Sequence, residues 1–320
     1  MNYNLLIDNL TNPALLFFVL GIVAVYLKSD LEIPTNSSKF ISLYLLFAIG
    51  FKGGQELSHE PFSMNIGWSM LFGVFISLLI PLYTFFILKR RLSIFDAGAI
   101  AAAYGSVSAV TFVTAVSYLE SQQLLLHGHM VAIMALMESP AIIIGLLLVS
   151  IFNKDENEII KKRSAIKHSF TNGSVLLILG SLIIGYLANA KQAEGIKPFT
   201  NDLFKGFLAI FLLDMGITSG KKLKAFFSFG WFPIVFAIVV PLINGCLVAM
   251  LSSIVTEDIS NRFIFAILSA SASYIAVPAA MKISVPQSNP GLFLPMALAV
   301  TFPINITIGM PLYFMVVQNT

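Results

Sequence analysis

Two stretches carry residue types that could do chemistry inside a membrane-length segment. They are Tyr104-Gly105-Ser106-Val107-Ser108-Ala109-Val110-Thr111 and Ser271-Ala272-Ser273-Tyr274-Ile275-Ala276-Val277-Pro278. Both are small, hydroxyl-rich and poor at forming helix, where a spanning helix is ordinarily rich in Leu and Ile. Aligning Ala99-Ile100 with Ala266-Ile267 also aligns Ala103 with Ala270, Ser106 with Ser273, Ala109 with Ala276 and Val110 with Val277. A helix interrupted inside lipid frees backbone N–H and C=O groups, which is tolerated only where protein buries them or they line a wet cavity. The freed N–H groups at the start of a half-helix carry positive partial charge and suit an anion. Gly105, Ser106, Val107, Ser108, Ser271, Ala272, Ser273 and Tyr274 are therefore candidate anion-binding residues. Ser106 and Ser273, at matching positions, are expected to act as a pair. Two interrupted segments in corresponding positions point to the binding site of a transporter. The competing reading is close helix packing, since small residues also line helix contacts in membranes.

Glu138, in Met137-Glu138-Ser139-Pro140, lies near the middle of another apolar run. An ionised carboxylate there costs about 2.5–3.5 kcal/mol on insertion scales, so it faces the interior or a cavity. Pro140 frees a carbonyl one turn back, which suits a cation site. The candidate cation ligands are Glu138 with Ser108, Thr111, Ser271 and Ser273. No metal site or organic cofactor is expected. Asp214 is a weaker candidate; Asp96 suits a helix N-terminal turn, and Lys52 can snorkel. Gly216-Ile-Thr-Ser-Gly220-Lys221-Lys222 falls one residue short of a phosphate loop and lacks the following Ser/Thr. His127-Gly128-His129 has no partner set for a metal.

These residues need membrane-spanning elements to hold them. The chain is 57% hydrophobic and 11% charged, with a mean hydropathy of +0.87, against about a quarter charged in soluble proteins. Runs of about 20 apolar residues predict ten spans: 12–28, 38–57, 66–89, 95–118, 129–152, 172–190, 203–221, 226–252, 259–282 and 290–317. Spans four and nine are the broken ones. The N-terminus lacks a basic residue before its first apolar run, so that run is taken as a retained helix. A polar loop at 153–171 separates a first five-helix repeat, 1–152, from a second, 172–320.

The halves echo one another. Gly50 and Gly54 answer Gly216 and Gly220, and Leu20-Gly21 answers Leu179-Gly180. The two Gly-Trp pairs, at Trp68 and Trp231, each open a third span. An odd number of spans per repeat makes the repeat inverted. Fourteen of the 19 basic residues fall on one side. Lys191, Lys197, Lys205 and Arg262 fall on the other, with Lys52 inside span two. The positive-inside rule then puts the fourteen in the cytoplasm and both termini outside. The basic residues mark topology and not nucleic-acid binding. The single Cys246 says little about redox compartment.

The chain resembles the sodium-dependent bicarbonate transporter family, best known from cyanobacteria. The resemblance is carried by Gly105-Ser106-Val107-Ser108, Glu138-Ser139-Pro140, the Ser269-to-Ser273 run, Ser288-Asn289-Pro290 and Ile308-Gly309-Met310-Pro311-Leu312. It implies an all-α membrane protein with core and gate domains, a homotrimer in the bacterial inner membrane, and sodium-driven bicarbonate uptake by an elevator mechanism. In cyanobacteria it also implies a small PII-like regulator on the cytoplasmic side. Two features depart from the family. Tyr274 stands where cyanobacterial members carry an Asp, and a Tyr is not ionised at neutral pH. The loop between spans five and six is also shorter. The alternative within transporters is another small carboxylate or anion, coupled to sodium or to protons. A membrane-embedded enzyme would need a nucleophile or metal set that the sequence does not offer, and a channel or sensor would not concentrate its solute.

Overall fold

A computed structural model of the protein describes residues 13–59, 63–153, 173–274 and 276–320. The described residues are helical or irregular, with no strand among them. The expected polar loop lies almost wholly outside the described residues, as do residues 1–12 of the first repeat.

In chain order the helices are α1 (Pro13–Tyr26), α2 (Thr35–His59), α3 (Met64–Leu88), α4 (Ile94–Gly105), α5 (Ala109–Ser121) and α6 (Gly128–Phe152). They continue as α7 (Gly173–Leu187), α8 (Ala190–Lys197), α9 (Phe204–Phe226), α10 (Trp231–Leu251), α11 (Ile259–Ala270) and α12 (Ala276–Ser284). The last, α13 (Pro290–Asn319), contains two π-helical stretches, Met296–Thr301 and Asn305–Gly309. Local chemistry sets several starts. Ser93 accepts a hydrogen bond from the Asp96 amide, and Asp258 accepts one from the Asn261 amide. Asn289 caps α13 ahead of Pro290, whose missing N–H costs nothing at a helix start.

Among the described residues, six helical runs are long and apolar enough to cross a bilayer: Met64–Leu88, Ile94–Ser121, Gly128–Phe152, Ala190–Leu223, Trp231–Ile254 and Pro290–Asn319. Leu15–Tyr26, Leu176–Leu187 and Ile259–Ala270 are apolar but shorter. The last is short because the chain breaks at Ser271. The 25 residues of α2 are long enough to span, but Lys52, Gln55 and Glu56 keep it out of the six.

The helices pack as two sets. In one, α1 lies along α9 and α2 along α7. Both crossings are close enough to demand glycine. A Cβ on Gly21 would run into the backbone of Leu213, and one on Gly216 into that of Phe18. Gly54 and Gly185 meet in the same way across α2 and α7. This is the small-residue packing of membrane helices. In the other set, α3, α4 and α6 pack together, and α10 and α11 pack with α13. Helix ends gather on two opposite faces. One face joins Lys52 and Lys205 to Glu120, at 3.0 and 3.5 Å, and brings His127 within 3.4 Å of Asp258. The other has Arg91 over Trp231 and the Asn289 amide donating to Asp96.

Candidate functional site

Helix α4 stops at Gly105 and α5 restarts at Ala109; α11 stops at Ala270 and α12 restarts at Ala276. The two breaks lie against each other. The Ser273 amide donates to the Ala103 carbonyl at 2.8 Å, and the Ser108 amide donates to the Ser271 hydroxyl oxygen at 3.0 Å. Ser271 donates in turn to the Leu268 carbonyl at 2.9 Å, so its hydroxyl is occupied as a strut. The Ser108 hydroxyl accepts from the Thr111 amide at 3.2 Å, capping α5. Ser273 is placed similarly ahead of α12, its hydroxyl 3.5 Å from the Val277 amide. The amides of Ser108, Thr111 and Ser273 and the carbonyls of Ala103 and Leu268 are thus satisfied within the protein, as a break inside lipid requires.

A small cavity opens where the two restarts meet. Val107, Ser108, Ala109, Ser273, Tyr274 and Ala276 come from the breaks, and Met134 and Glu138 from α6. Leu46 of α2 and Ile178 of α7 close the opposite wall. Its volume is about 20 Å³, room for roughly one water-sized occupant. The N-terminal turns of α5 and α12 both begin here, so their amides bias the cavity towards negative charge. No Lys, Arg or His lines it. Glu138 is half-buried and has no ion-pair or hydrogen-bond partner among the described residues. The Tyr274 hydroxyl is buried beside Ser108 without hydrogen-bond geometry, and its ring packs edge-on against Phe302.

The expected site residues thus divide. Val107, Ser108, Ser273, Tyr274 and Glu138 line the cavity. Gly105, Ser106, Ala272, Ser271 and Thr111 are buried behind it. Gly105 is fitted against Pro81 and Ala141, where a Cβ would clash. Ser106 is fully buried and its hydroxyl has no partner among the described residues. Asp214 accepts a hydrogen bond from Ser38, within the set formed by α1, α2, α7 and α9. Lys52 pairs with Glu120 instead of snorkelling alone.

Several polar residues to which the sequence pattern assigned no role hold the breaks in place. Asn305 donates its amide to the Ala270 carbonyl at 2.7 Å, the last residue before the second break. Its side-chain oxygen accepts from Tyr313 at 2.9 Å. Asn244 donates to the Ser269 carbonyl at 3.4 Å and accepts from Tyr83. Tyr104, just ahead of the first break, is hydrogen-bonded to Thr301 at 2.7 Å. The signal for Asn244 and Asn305 was present: each is a lone amide in an apolar run, and polar residues in spans take up freed backbone groups.

The architecture is that of a helical membrane protein with a polar cavity at paired helix breaks, an arrangement shared by secondary transporters. Residues 13–318 match the Na+-dependent bicarbonate transporter superfamily, and the chain belongs to that family. Membership makes it a membrane transporter and not an enzyme. No curated protein matched the chain.

Proposed function

We propose that the chain is a secondary active transporter that takes up bicarbonate with sodium. The observation that carries this reading is the pairing of opposite demands in one cavity. The α5 and α12 N-termini favour an anion, while Glu138 beside them lacks a partner among the described residues. Two negative charges about 5 Å apart repel by about 3 kcal/mol at an effective dielectric near 20. An anion therefore enters together with a cation, or with Glu138 protonated. That is co-transport in physical terms. Bicarbonate is planar and singly charged with three oxygens. Several short amide and hydroxyl donors suit its weak, reversible capture better than an Arg.

The cation set we propose is Glu138 with Ser108, Thr111, Ser271 and Ser273, Ser271 and Thr111 acting from behind the lining. For the anion the set is Ser108, Ser273, Tyr274 and Val107, with Gly105, Ser106 and Ala272 shaping the turns. The movement we propose is an elevator. The set α1, α2, α7 and α9 serves as gate, and the cavity rides with the core behind the Leu46–Ile178 wall. The matched crossings of α1 on α9 and α2 on α7 support ten spans in two inverted repeats. The basic asymmetry supports both termini outside a bacterial inner membrane. A homotrimer and a PII-like cytoplasmic regulator complete the reading through the family resemblance.

The family resemblance also suggests a second reading. It implies a carboxylate where Tyr274 stands, so a proton could take the place of sodium, or another small anion that of bicarbonate. Labelled bicarbonate uptake into proteoliposomes, under a sodium gradient and then a proton gradient, separates these. Accumulation only with sodium supports the first reading. Accumulation only with protons supports the second, and accumulation with neither refutes both.

A further inference from the structure

We propose that the cleft between the ends of α1 and α9 binds an anionic phospholipid. A cavity of about 320 Å³ lies there, lined by Val25, Tyr26, Lys28, Gly220, Leu223 and Phe227. It is an order of magnitude larger than the transport cavity and lies on different elements. Its wall is apolar and its rim is cationic, the two halves of a phospholipid's chemistry.

The backbone holds the cation there at a cost. Lys28 has φ of +55°, a left-handed conformation uncommon for a residue with a side chain. The Ser29 amide reaches back to the Ala24 carbonyl at 2.9 Å and the Lys28 amide to Val25 at 3.1 Å. These two bonds form a Schellman helix end, in which the left-handed position is ordinarily glycine. A lysine there accepts backbone strain that glycine would avoid, and strain of this kind accompanies functional positions. Lys221 and Lys222 follow Gly220 on the facing helix. Lys221 is 3.9 Å from Glu32, whereas Lys28 and Lys222 have no carboxylate partner among the described residues.

The surroundings select the occupant. Leu16, Leu20 and Val23 form an exposed apolar stripe along one face of α1, and the exposed Leu27 follows just beyond its end, between the cleft residues Tyr26 and Lys28. Tyr26 and Phe227 at the mouth of the cleft are 77% and 56% exposed. An acyl chain can follow the stripe while its phosphate meets Lys28 at the cleft, as basic pockets between spanning helices do with acidic headgroups. A second copy of this chain presenting the same end would add cations to cations. The inference rests on the membrane placement and is independent of which anion is transported.

Native mass spectrometry tests it. The full-length protein is reconstituted in equal phosphatidylglycerol and phosphatidylcholine, extracted in mild detergent, and its retained lipid counted. The parent protein should keep phosphatidylglycerol selectively. Lys28→Gly should cut that selectivity by about fivefold, the worth of one lysine near an anionic lipid surface. It should melt no lower than the parent, because glycine suits the helix end. Lys28→Arg should keep the selectivity, and Val25→Trp should lower retention of both lipids by filling the cleft. Equal phosphatidylglycerol retention in the parent, Lys28→Gly and Val25→Trp overturns the proposal. So does a change of oligomeric state in Val25→Trp without lipid loss, which would make the occupant another copy of the chain.

Discussion

Glu138 is half-buried in a cavity that, among the described residues, offers it no basic side chain, and the proposed co-transport assigns it a cation or a proton. Glu138→Gln removes that demand and keeps the shape. The variant should express and assemble normally while uptake falls at least tenfold or loses its cation dependence. Uptake assays over a range of sodium concentrations check this, and unchanged kinetics would leave Glu138 a structural residue. The two matched serines separate at this scale. Ser273 lines the cavity, so Ser273→Ala should weaken the anion by about 0.5–1.5 kcal/mol, read as a roughly two- to tenfold rise in KM. Ser106 is sealed in protein with no partner for its hydroxyl among the described residues. Ser106→Ala should hold or raise the melting temperature, since an unsatisfied buried hydroxyl is a cost, and should leave KM unchanged. Repeat alignment made these residues equivalent, but a one-dimensional pattern does not tell which side of a turn faces the void.

The interruptions after Gly105 and after Ala270 were legible in the sequence because the cause is local. Gly105 and the serines at 106, 108, 271 and 273 favour turns and caps over helix interior, and Ser108 supplies a cap. What the sequence did not show is which elements stand opposite. Leu46 and Ile178 resemble any other apolar span residue, and the Asn305–Ala270 bond joins residues 35 apart in sequence. Such contacts follow from how helices cross, and the crossings depend on glycines that sequence alone marked only as repeats. Gly216→Ala would drive a Cβ into the Phe18 backbone. It should destabilise the α1–α9 pair by about 1–3 kcal/mol, typical of overpacking, seen as a lower melting temperature in detergent. A second contact between helices is expected to control motion. Glu120 on α5 holds Lys52 of α2 and Lys205 of α9, joining the two helix sets on one face. Glu120→Gln should weaken this clasp and shift the conformational balance, measured as a changed distance distribution between spin labels on α5 and α9. An identical distribution would show that the clasp is not a conformational latch.

At the scale of the whole molecule, a set of closely crossed helices faces a second set that carries both breaks, and the cavity lies between them. The cavity has helix N-termini on the side of the breaks and an apolar wall, Leu46 and Ile178, on the side of the crossed helices. The central claim is that this cavity is where the anion travels. The most direct measurement is labelled bicarbonate uptake into proteoliposomes under an inward sodium gradient, comparing the parent protein with Ser273→Leu at matched amount and oligomeric state. The parent should concentrate bicarbonate above the external level, and Ser273→Leu, with a bulky side chain filling a cavity of about 20 Å³, should not. Normal uptake by a well-folded Ser273→Leu protein would contradict the claim.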